Sequence, residues 1–340
     1  MKTPRIGLLE KKRGNYALQE KLAGAEHIID ETADEVMHHE QALLSAGYDV
    51  CRIEWSHGLM SDLLDAQVDL VFNVSSLAEA AILEEIQIPY AGSDVYAIVA
   101  ASEKSISKKL WQFAGLPTSP FRVADAAEDC AIFEDHPPFD YPLFVKPVAG
   151  RGSAGISRYS VVNSYAQLTE RVEKLLETIG QPVLIERFLR GREVTVGVLG
   201  NPPTARALPP LEIVYRTGDI TLSFDKKAAD NDTFLCPAPL DETSTQAVQR
   251  LALNAYRVLG LKDFGRIDMI LTDEGPFLLE ANSFAGLVCT PPEKPRSYIG
   301  FMAGAEGMSG SELLDEIVHA ALARNGLKTP ALQDRDPAIR

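Results

Sequence analysis

Two carboxylates, an amide and a guanidinium crowd one short stretch, GRIDMILTDEGPFLLEANSFAG, residues 265 to 286. Thr272-Asp273-Glu274-Gly275 is a turn signal between two apolar runs, which predicts a β-hairpin with strands near 264–271 and 276–282. With the turn centred on Glu274, Asp268 faces Glu280, Arg266 faces Asn282 and Ile270 faces Leu278. Ile267, Met269 and Leu271 then meet Ala281, Leu279 and Phe277 on a second face, which is apolar and must be core. A turn with an even number of loop residues would instead put the two acids on opposite faces.

Directly opposed residues of an antiparallel pair have Cβ atoms roughly 4.5 to 5.5 Å apart, and like charges there destabilise the pair. Two carboxylates held that close want a cation between them. Hard divalent cations take oxygen ligands, and Mg²⁺ in nucleotide enzymes is held by one or two carboxylates together with substrate phosphates. Asp268, Glu280 and the amide oxygen of Asn282 suit it; the competing reading is a solvated, charged sheet face.

A second candidate is VKPVAGRGSAG, residues 145 to 155, with a literal GxGxxG at Gly150, Gly152 and Gly155. A dinucleotide-binding turn must open a helix, whereas ISRYSVV after it is β-branched and aromatic and reads as a strand. A Walker A loop is excluded too, because Lys146 precedes the glycines. What remains is a glycine-rich hairpin loop after a strand ending in a lysine. Such a loop can fold its amides over phosphate oxygens while the lysine supplies a point charge. A plain glycine hairpin with a solvated lysine is the alternative.

These groups must be carried by a framework, and its pattern is α/β. RIGLL, a helix ending near Ala46-Gly47, YDVCRIEW, VDLVFNV, a helix from Ala78 to Glu85 and the strand and turn IPYAGS alternate over the first hundred residues, which indicates a parallel sheet. A helix over KSISKKLWQFAG follows, then strands YPLFVKP and ISRYSVV, a helix from Ser164 to about Ile179 and the strand QPVLIERF. After Gly191 come REVTVGVLG, a strand around LPPLEIV, a polar loop 216–231, a helix from Thr243 to Leu259 and the hairpin. Ser309-Gly-Ser-Glu starts a last helix with apolar Leu314, Ile317, Val318, Ala321 and Leu322, ended by Gly326.

The 340 residues are 46% hydrophobic, enough for two or three cores. A net charge of −15 disfavours nucleic acid or an anionic membrane as partner, and no apolar run reaches the length of a membrane span. The expected location is the cytoplasm. Four scattered cysteines, Cys51, Cys130, Cys236 and Cys289, with no CxxC, are expected to be reduced and mostly buried. The pair His38-His39 reads as a solvated or boundary position on a helix.

Taken together, IPYAGSD, YPLFVKPVAGRGSAGIS, QPVLIERFLRGREVTVGVLGN, LPPLEI, LCPAPLD and DFGRIDMILTDEGPFLLEANSFAG resemble the ATP-grasp ligases of the D-alanine:D-alanine ligase-like family, over roughly residues 68 to 326. The resemblance implies an N-terminal parallel α/β domain (1–103) and a two-part α+β ATP-grasp fold with a central subdomain (104–190), a C-terminal subdomain (191–327) and a tail (328–340). It also implies a homodimer. Lys104 and Lys146 match the lysines on the nucleotide phosphates, and Glu186 matches the acid that meets the adenine amino group. Phe188 and Leu189 match the hinge beside adenine, and Glu193 the acid on the ribose. Gly152 and Ser153 would lie in the flap over the phosphates, and Lys227, with Lys226 as its rival, would hold the transferred phosphate. Asp268, Glu280 and Asn282 fall on the Mg²⁺ ligands, two ions being implied and Mn²⁺ being the alternative. Arg266 and the Gly286 N–H match the groups that stabilise developing negative charge.

The implied activity is amide formation between a small-molecule carboxylate and an amine, amino acids in kind, with ATP converted to ADP and phosphate through an acyl phosphate. The substrate contacts depart from the family pattern. LLEKKRGNYALQEK does not reproduce the family's glycine-serine-glutamate segment for the first substrate's ammonium, VSSLAEAAILEE keeps only part of the acidic-glycine loop, and LVCTPPEKPRSYIG replaces the usual run toward a serine. The expected pair is therefore not D-alanine with D-alanine. D-alanine:D-alanine ligase proper, a nucleotide-binding scaffold without turnover, and an enzyme with a thiol or hydroxyl nucleophile remain as alternatives.

Overall fold

The computed structural model describes residues 3–10, 26–150, 155–157, 159–215, 233–289 and 297–328, with the backbone alone for 26–33. Within them lie three sheets. The first is parallel, in the order β2-β1-β3, built from β1 (Arg5–Glu10), β2 (Asp49–Glu54) and β3 (Leu70–Phe72). β1 and β3 are buried on both faces because both are covered, whereas the edge strand β2 keeps Asp49, Arg52 and Glu54 exposed. Ile6 and Leu8 pack with α1 (Glu26–Ser45), and Leu9 and Val71 with α2 (Leu59–Ala66) and α3 (Leu77–Glu85).

Two consecutive helices, α4 (Val95–Ser102) and α5 (Lys104–Phe113), lead to a four-stranded antiparallel sheet. It comprises β4 (Phe121–Ala124), β5 (Leu143–Pro147), β6 (Val161–Val162) and β7 (Val183–Arg187), in the order β4-β7-β5-β6. Alternation sends Leu143, Val145, Val183 and Ile185 to the face covered by α6 (Tyr165–Ile179). The same alternation leaves Lys146 and Glu186 on the other face.

The third sheet is built from β8 (Arg192–Leu199), β9 (Arg206–Ala207), β10 (Leu211–Val214), β11 (Thr233–Leu235), β12 (Phe264–Thr272) and β13 (Gly275–Asn282). Its order is β11-β10-β8-β12-β13, with β9 beside β8. One face packs Val194, Val196, Val198, Ile267, Met269 and Leu278 against α4 and α7 (Glu242–Leu259). On the other side α8 (Tyr298–Ala305) and α9 (Gly310–Arg324) join the core of the first sheet. α9 starts with the expected capping box, Ser309 with Glu312, and all five expected apolar positions are buried.

Several expectations need correction. Among the described residues of ISRYSVV only Val161–Val162 are strand, and Ser160 N bonds Ser157 O in a turn just before them. IPYAGS contributes a single bridge, Tyr90 to Val71. α2 and α4 were not expected: α2 has no side-chain N-cap, and α4 is apolar around most of its circumference. Cys130 and Cys289 are buried, whereas Cys51 and Cys236 are half-buried. No helix among the described residues is long and apolar enough to cross a membrane.

His39 is 3% exposed and packs edge-on against Phe72, so it is a core residue and not a boundary one. Burial, with some repulsion from His38, holds its pKa at about 4, below the ordinary 6.5. Between those values the unfolded chain binds the extra proton, so stability rises with pH across that window. His39→Leu is expected to flatten the fall in stability as pH drops from 6.5 to 4, removing up to about 1.4 kcal/mol per pH unit. Urea midpoints measured across that range check it, and an unchanged slope would place the acid sensitivity elsewhere.

Candidate active site

β12 and β13 pair as expected at their open end and differently near the turn. Arg266 lies opposite Asn282, Ile267 opposite Ala281 and Asp268 opposite Glu280. Thr272 pairs with Gly275, so the loop holds Asp273 and Glu274 alone; from there Leu271 faces Pro276, Ile270 faces Phe277 and Met269 faces Leu278. The three partners expected for Ile270, Met269 and Leu271 are thus one residue out. An even loop by itself would have set the two acids on opposite faces. A bulge at Leu279, where the register shifts between Asp268 and Met269, restores their common face. Leu278 is accordingly buried in the core and Leu279 is not.

The neighbouring strand β8 completes this face, with Thr195 opposite Asp268 and Glu193 opposite Ile270. Asp268 accepts Arg266 Nε and Nη2 at 2.8 Å each, Thr195 Oγ1 at 2.5 Å and Asn282 Nδ2 at 2.9 Å. Glu280 Oε2 lies 3.4 Å from Lys104 Nζ. Burial works against the charge on Arg266, but the Asp268 carboxylate outweighs it and raises the arginine's pKa further. Both acids are therefore met by cations, as like charges at cross-strand distance require. Two carboxylates and an amide oxygen form a donor set that fits a hard divalent cation. In this arrangement Asn282 turns its nitrogen toward Asp268, so a half-turn of the amide would present its oxygen instead.

The central sheet contributes a buried ion cluster. Glu186 is diagonal to Lys146 across β5 and β7, and its two oxygens take Lys146 Nζ at 2.6 Å and Lys108 Nζ at 2.8 Å. Lys108 is fully buried and also donates to Thr118 Oγ1 at 2.7 Å, which in turn donates to Leu278 O on β13 at 2.7 Å. Burial alone would raise the Glu186 pKa, but the two ammonium groups override it and hold it at about 2. Burial lowers Lys108; for Lys146 the attraction of Glu186 and Glu280 outweighs burial and raises it. Lys104 is buried at the start of α5, its N–H bonded to Val148 O and its Nζ 3.3 Å from Gly150 O. It is one helical turn from Lys108, which puts both lysines on the same face of α5.

Around these, Glu193 accepts Tyr215 Oη at 2.5 Å. Phe188 gives its N–H to Pro142 O at 3.0 Å, and Leu189 continues toward β8. Gly191 is required there, since a Cβ would come within 2.3 Å of Leu271 O. Gly286 follows the hairpin and packs against Ser297. Gly152, Ser153, Lys226 and Lys227 lie outside the described residues. Lys108, Thr195, Tyr215 and Tyr298 are site residues that the sequence reading missed; only Lys108, four after Lys104, and Thr195, two after Glu193, carried a spacing that could have exposed them. Burial pushes the thiols of Cys130, Cys236 and Cys289 up to about 11.

The ion cluster is unequal in its dependencies. Glu186→Leu leaves two ammonium groups facing each other, while Lys108→Met leaves Glu186 with Lys146. Glu186→Leu is therefore expected to cost the larger amount, about 3–5 kcal/mol, in urea unfolding. The reverse order would mean that Thr118, and not Glu186, is the partner that matters for Lys108.

Residues 110–319, more than half of the chain, match the family model described as the D-ala D-ala ligase C-terminus. A D-alanine--D-alanine ligase of Bordetella petrii is 34% identical over 292 residues, covering 84% of this chain and 85% of the relative. The corresponding protein of Methylacidiphilum infernorum is 32% identical, with 84% and 88% covered. Among solved structures, the D-alanine--D-alanine ligase of Bacillus anthracis complexed with ATP superposes with a TM-score of 0.71, covering 95% of this chain and 99% of that one at 20% identity. The VanG D-Ala:D-Ser ligase of Enterococcus faecalis gives 0.74, with 94% and 100% covered at 20% identity. The chain belongs to the D-alanine--D-alanine ligase family and is an ATP-grasp enzyme of the ADP-forming, carbon–nitrogen ligase kind.

Proposed function

We propose that this enzyme joins the carboxyl group of one amino acid to the amino group of another through an acyl phosphate, and that the pair is not two D-alanines. The observation that carries the chemistry is the directly opposed pair Asp268 and Glu280, met by Arg266 and Lys104 in one cleft. Asp268, Glu280 and Asn282 would hold two Mg²⁺, which neutralise phosphate charge during transfer. Lys104 and Lys146 would bind the nucleotide phosphates. As Lys146 turns to them, Lys108 would keep Glu186 ionised for the adenine amino group. Phe188, through its carbonyl, and Leu189 would meet adenine, and Glu193 the ribose. Gly152 and Ser153 would cover the phosphates, and Lys227, or Lys226, would hold the one transferred. We read the domains as 1–103, 104–190 and 191–327, acting in a homodimer.

In the first step a carboxylate oxygen of one amino acid takes the terminal phosphoryl group, and the bond to ADP breaks. In the second, the neutral amine of the other attacks the acyl carbon. The carbon–nitrogen bond forms, the bond to the phosphate oxygen breaks, and inorganic phosphate and the amine's proton leave. Arg266 and the Gly286 N–H would stabilise the oxyanion between these events, a contribution typically about 10²- to 10³-fold per donor. Water must be kept out, because it would take the amine's place.

The substrate reading draws on residues that depart from the family pattern. In the segment after β3, Glu79 is buried and one of its oxygens, Oε2, accepts the N–H groups of Ser75 and Ser76, at 2.6 and 3.1 Å, closing the cap of α3. The names of the 32–34% identical relatives favour the second reading, D-alanine:D-alanine ligase proper.

ADP and phosphate release against a panel of D- and L-amino acids, with mass spectrometry of the product, separates the readings. A mixed or non-alanine dipeptide is expected, and D-alanyl-D-alanine as the preferred product would overturn it. Nucleotide binding without ADP release for any pair would mark a scaffold. Asp268→Asn and Glu280→Gln are expected to abolish turnover with circular dichroism unchanged. Lys227→Ala is expected to lower kcat far more than Lys226→Ala, and equal losses would refute that assignment.

A further inference from the structure

Tyr298 lays its ring over the Arg266 guanidinium, with Cζ 4.8 Å from the ring centroid. The ring is itself fixed. Phe234, on β11, meets it edge-on at 5.2 Å, and Phe301, one turn along α8, braces Phe234 at 5.5 Å. The helix that carries Tyr298 is clamped to the segment after the hairpin. Ser297 Oγ donates to Val288 O at 3.0 Å and accepts Gly300 N at 3.0 Å, and a Cβ on Gly286 would lie 3.1 Å from Ser297 Cβ. Arg266 is thus gripped along one edge by Asp268 and lies over the face of an aromatic ring that is itself held by Phe234 and by the Ser297 clamp.

We propose that Tyr298 is a positioning residue for the amide-forming step. It holds the plane of the Arg266 guanidinium and keeps water from one of its faces, so that the group is oriented before charge develops on the acyl oxygen. The proposal rests on the reading of Arg266 as an oxyanion donor. A planar cation stacked on a ring is stabilised by the ring's electron-rich face, and the stacking also removes a rotational freedom that the free guanidinium would have. Preorganised donors stabilise a transition state because they need not reorient during the reaction. Tyr298 touches neither reacting atom in this scheme, so its loss falls on kcat and not on nucleotide binding.

The test uses the full chain and the amino-acid pair that gives the highest ADP release. Tyr298→Leu is expected to lower kcat about 10-fold, the size of a partly desolvated cation–ring contact, with KM for ATP unchanged. Tyr298→Phe, which keeps the ring, is expected to retain at least about half of kcat, since the electron-rich face and not the hydroxyl carries the contact. Replacing the Tyr298 ring by progressively fluorinated phenylalanines preserves size while draining the ring's face, and kcat is expected to fall stepwise. This series decides the matter if Tyr298→Leu fails to fold. Full activity in Tyr298→Leu, a Tyr298→Phe loss equal to that of Tyr298→Leu, or a flat fluorination series would each overturn the proposal. Arg266→Lys is measured alongside: an active Arg266→Lys enzyme would sink the oxyanion reading itself, whereas an inactive one beside an active Tyr298→Leu would sink the Tyr298 proposal alone.

Discussion

Asp268 and Glu280 stand directly opposite each other on adjacent strands, an arrangement that costs free energy unless cations come between or around them. Much of the cleft can be read as the consequence. Arg266, two residues from Asp268 and on the same face, takes both of its oxygens, and Lys104 reaches Glu280 from α5. The helix that brings Lys104 also brings Lys108, and a buried lysine needs an anion in turn, which is Glu186 on the central sheet. Thr118 ties Lys108 back to Leu278 on the hairpin. Sheet, helix and hairpin are therefore joined by charge pairs and hydrogen bonds that run through the candidate site.

That continuity has an electrostatic meaning. Lys104 and Lys108 from α5, Lys146 from β5 and Arg266 from β12 converge on Asp268, Glu280 and Glu186. A polyphosphate supplies anions and divalent cations supply the opposite sign, so both are attracted to a cleft that neither would enter alone as readily. Each lysine also has an internal partner while it waits. The ammonium groups are then held in place rather than swinging in solvent, which is what positioning a phosphoryl group demands.

How much of this could be read from residue types depends on which physical rule places each group. Alternation along the hairpin strands put Arg266 and Asp268 on one face, and Lys146 was marked by the glycine-rich loop that follows its strand, whereas Glu186 was reached only through the family resemblance. The hairpin was legible for a subtler reason. Its loop is even, which alone would have separated the acids, and Leu279 bulges out to bring them together again. Nothing in two successive leucines says which of them will bulge, since either could fill the core site. Lys108 was hidden because it sits among other lysines on a helix with a polar face, where a solvated position is the ordinary expectation. Tyr298 was hidden because its partner is remote in the chain: stacking on Arg266 follows from the clamp at Ser297, which no local pattern announces. His39 failed for the opposite reason, a polar side chain on a helix that turned its ring into the core beside Phe72.

The choice of arginine at position 266 follows from the same geometry. Asp268 takes Nε and Nη2, and Cζ lies over the Tyr298 ring, so among the contacts of the described residues Nη1 is the donor left over. A lysine has neither a second edge nor a face, and one ammonium could not be gripped by a carboxylate, stacked on a ring and aimed outward together. Three simultaneous constraints on one cation require a planar group with several donors. They also require the carboxylate that grips it to stay in register, which returns the burden to the bulge at Leu279: a slip of one residue would carry Glu280 and Asn282 to the core face and leave Arg266 and Asp268 paired to each other with nothing to act upon.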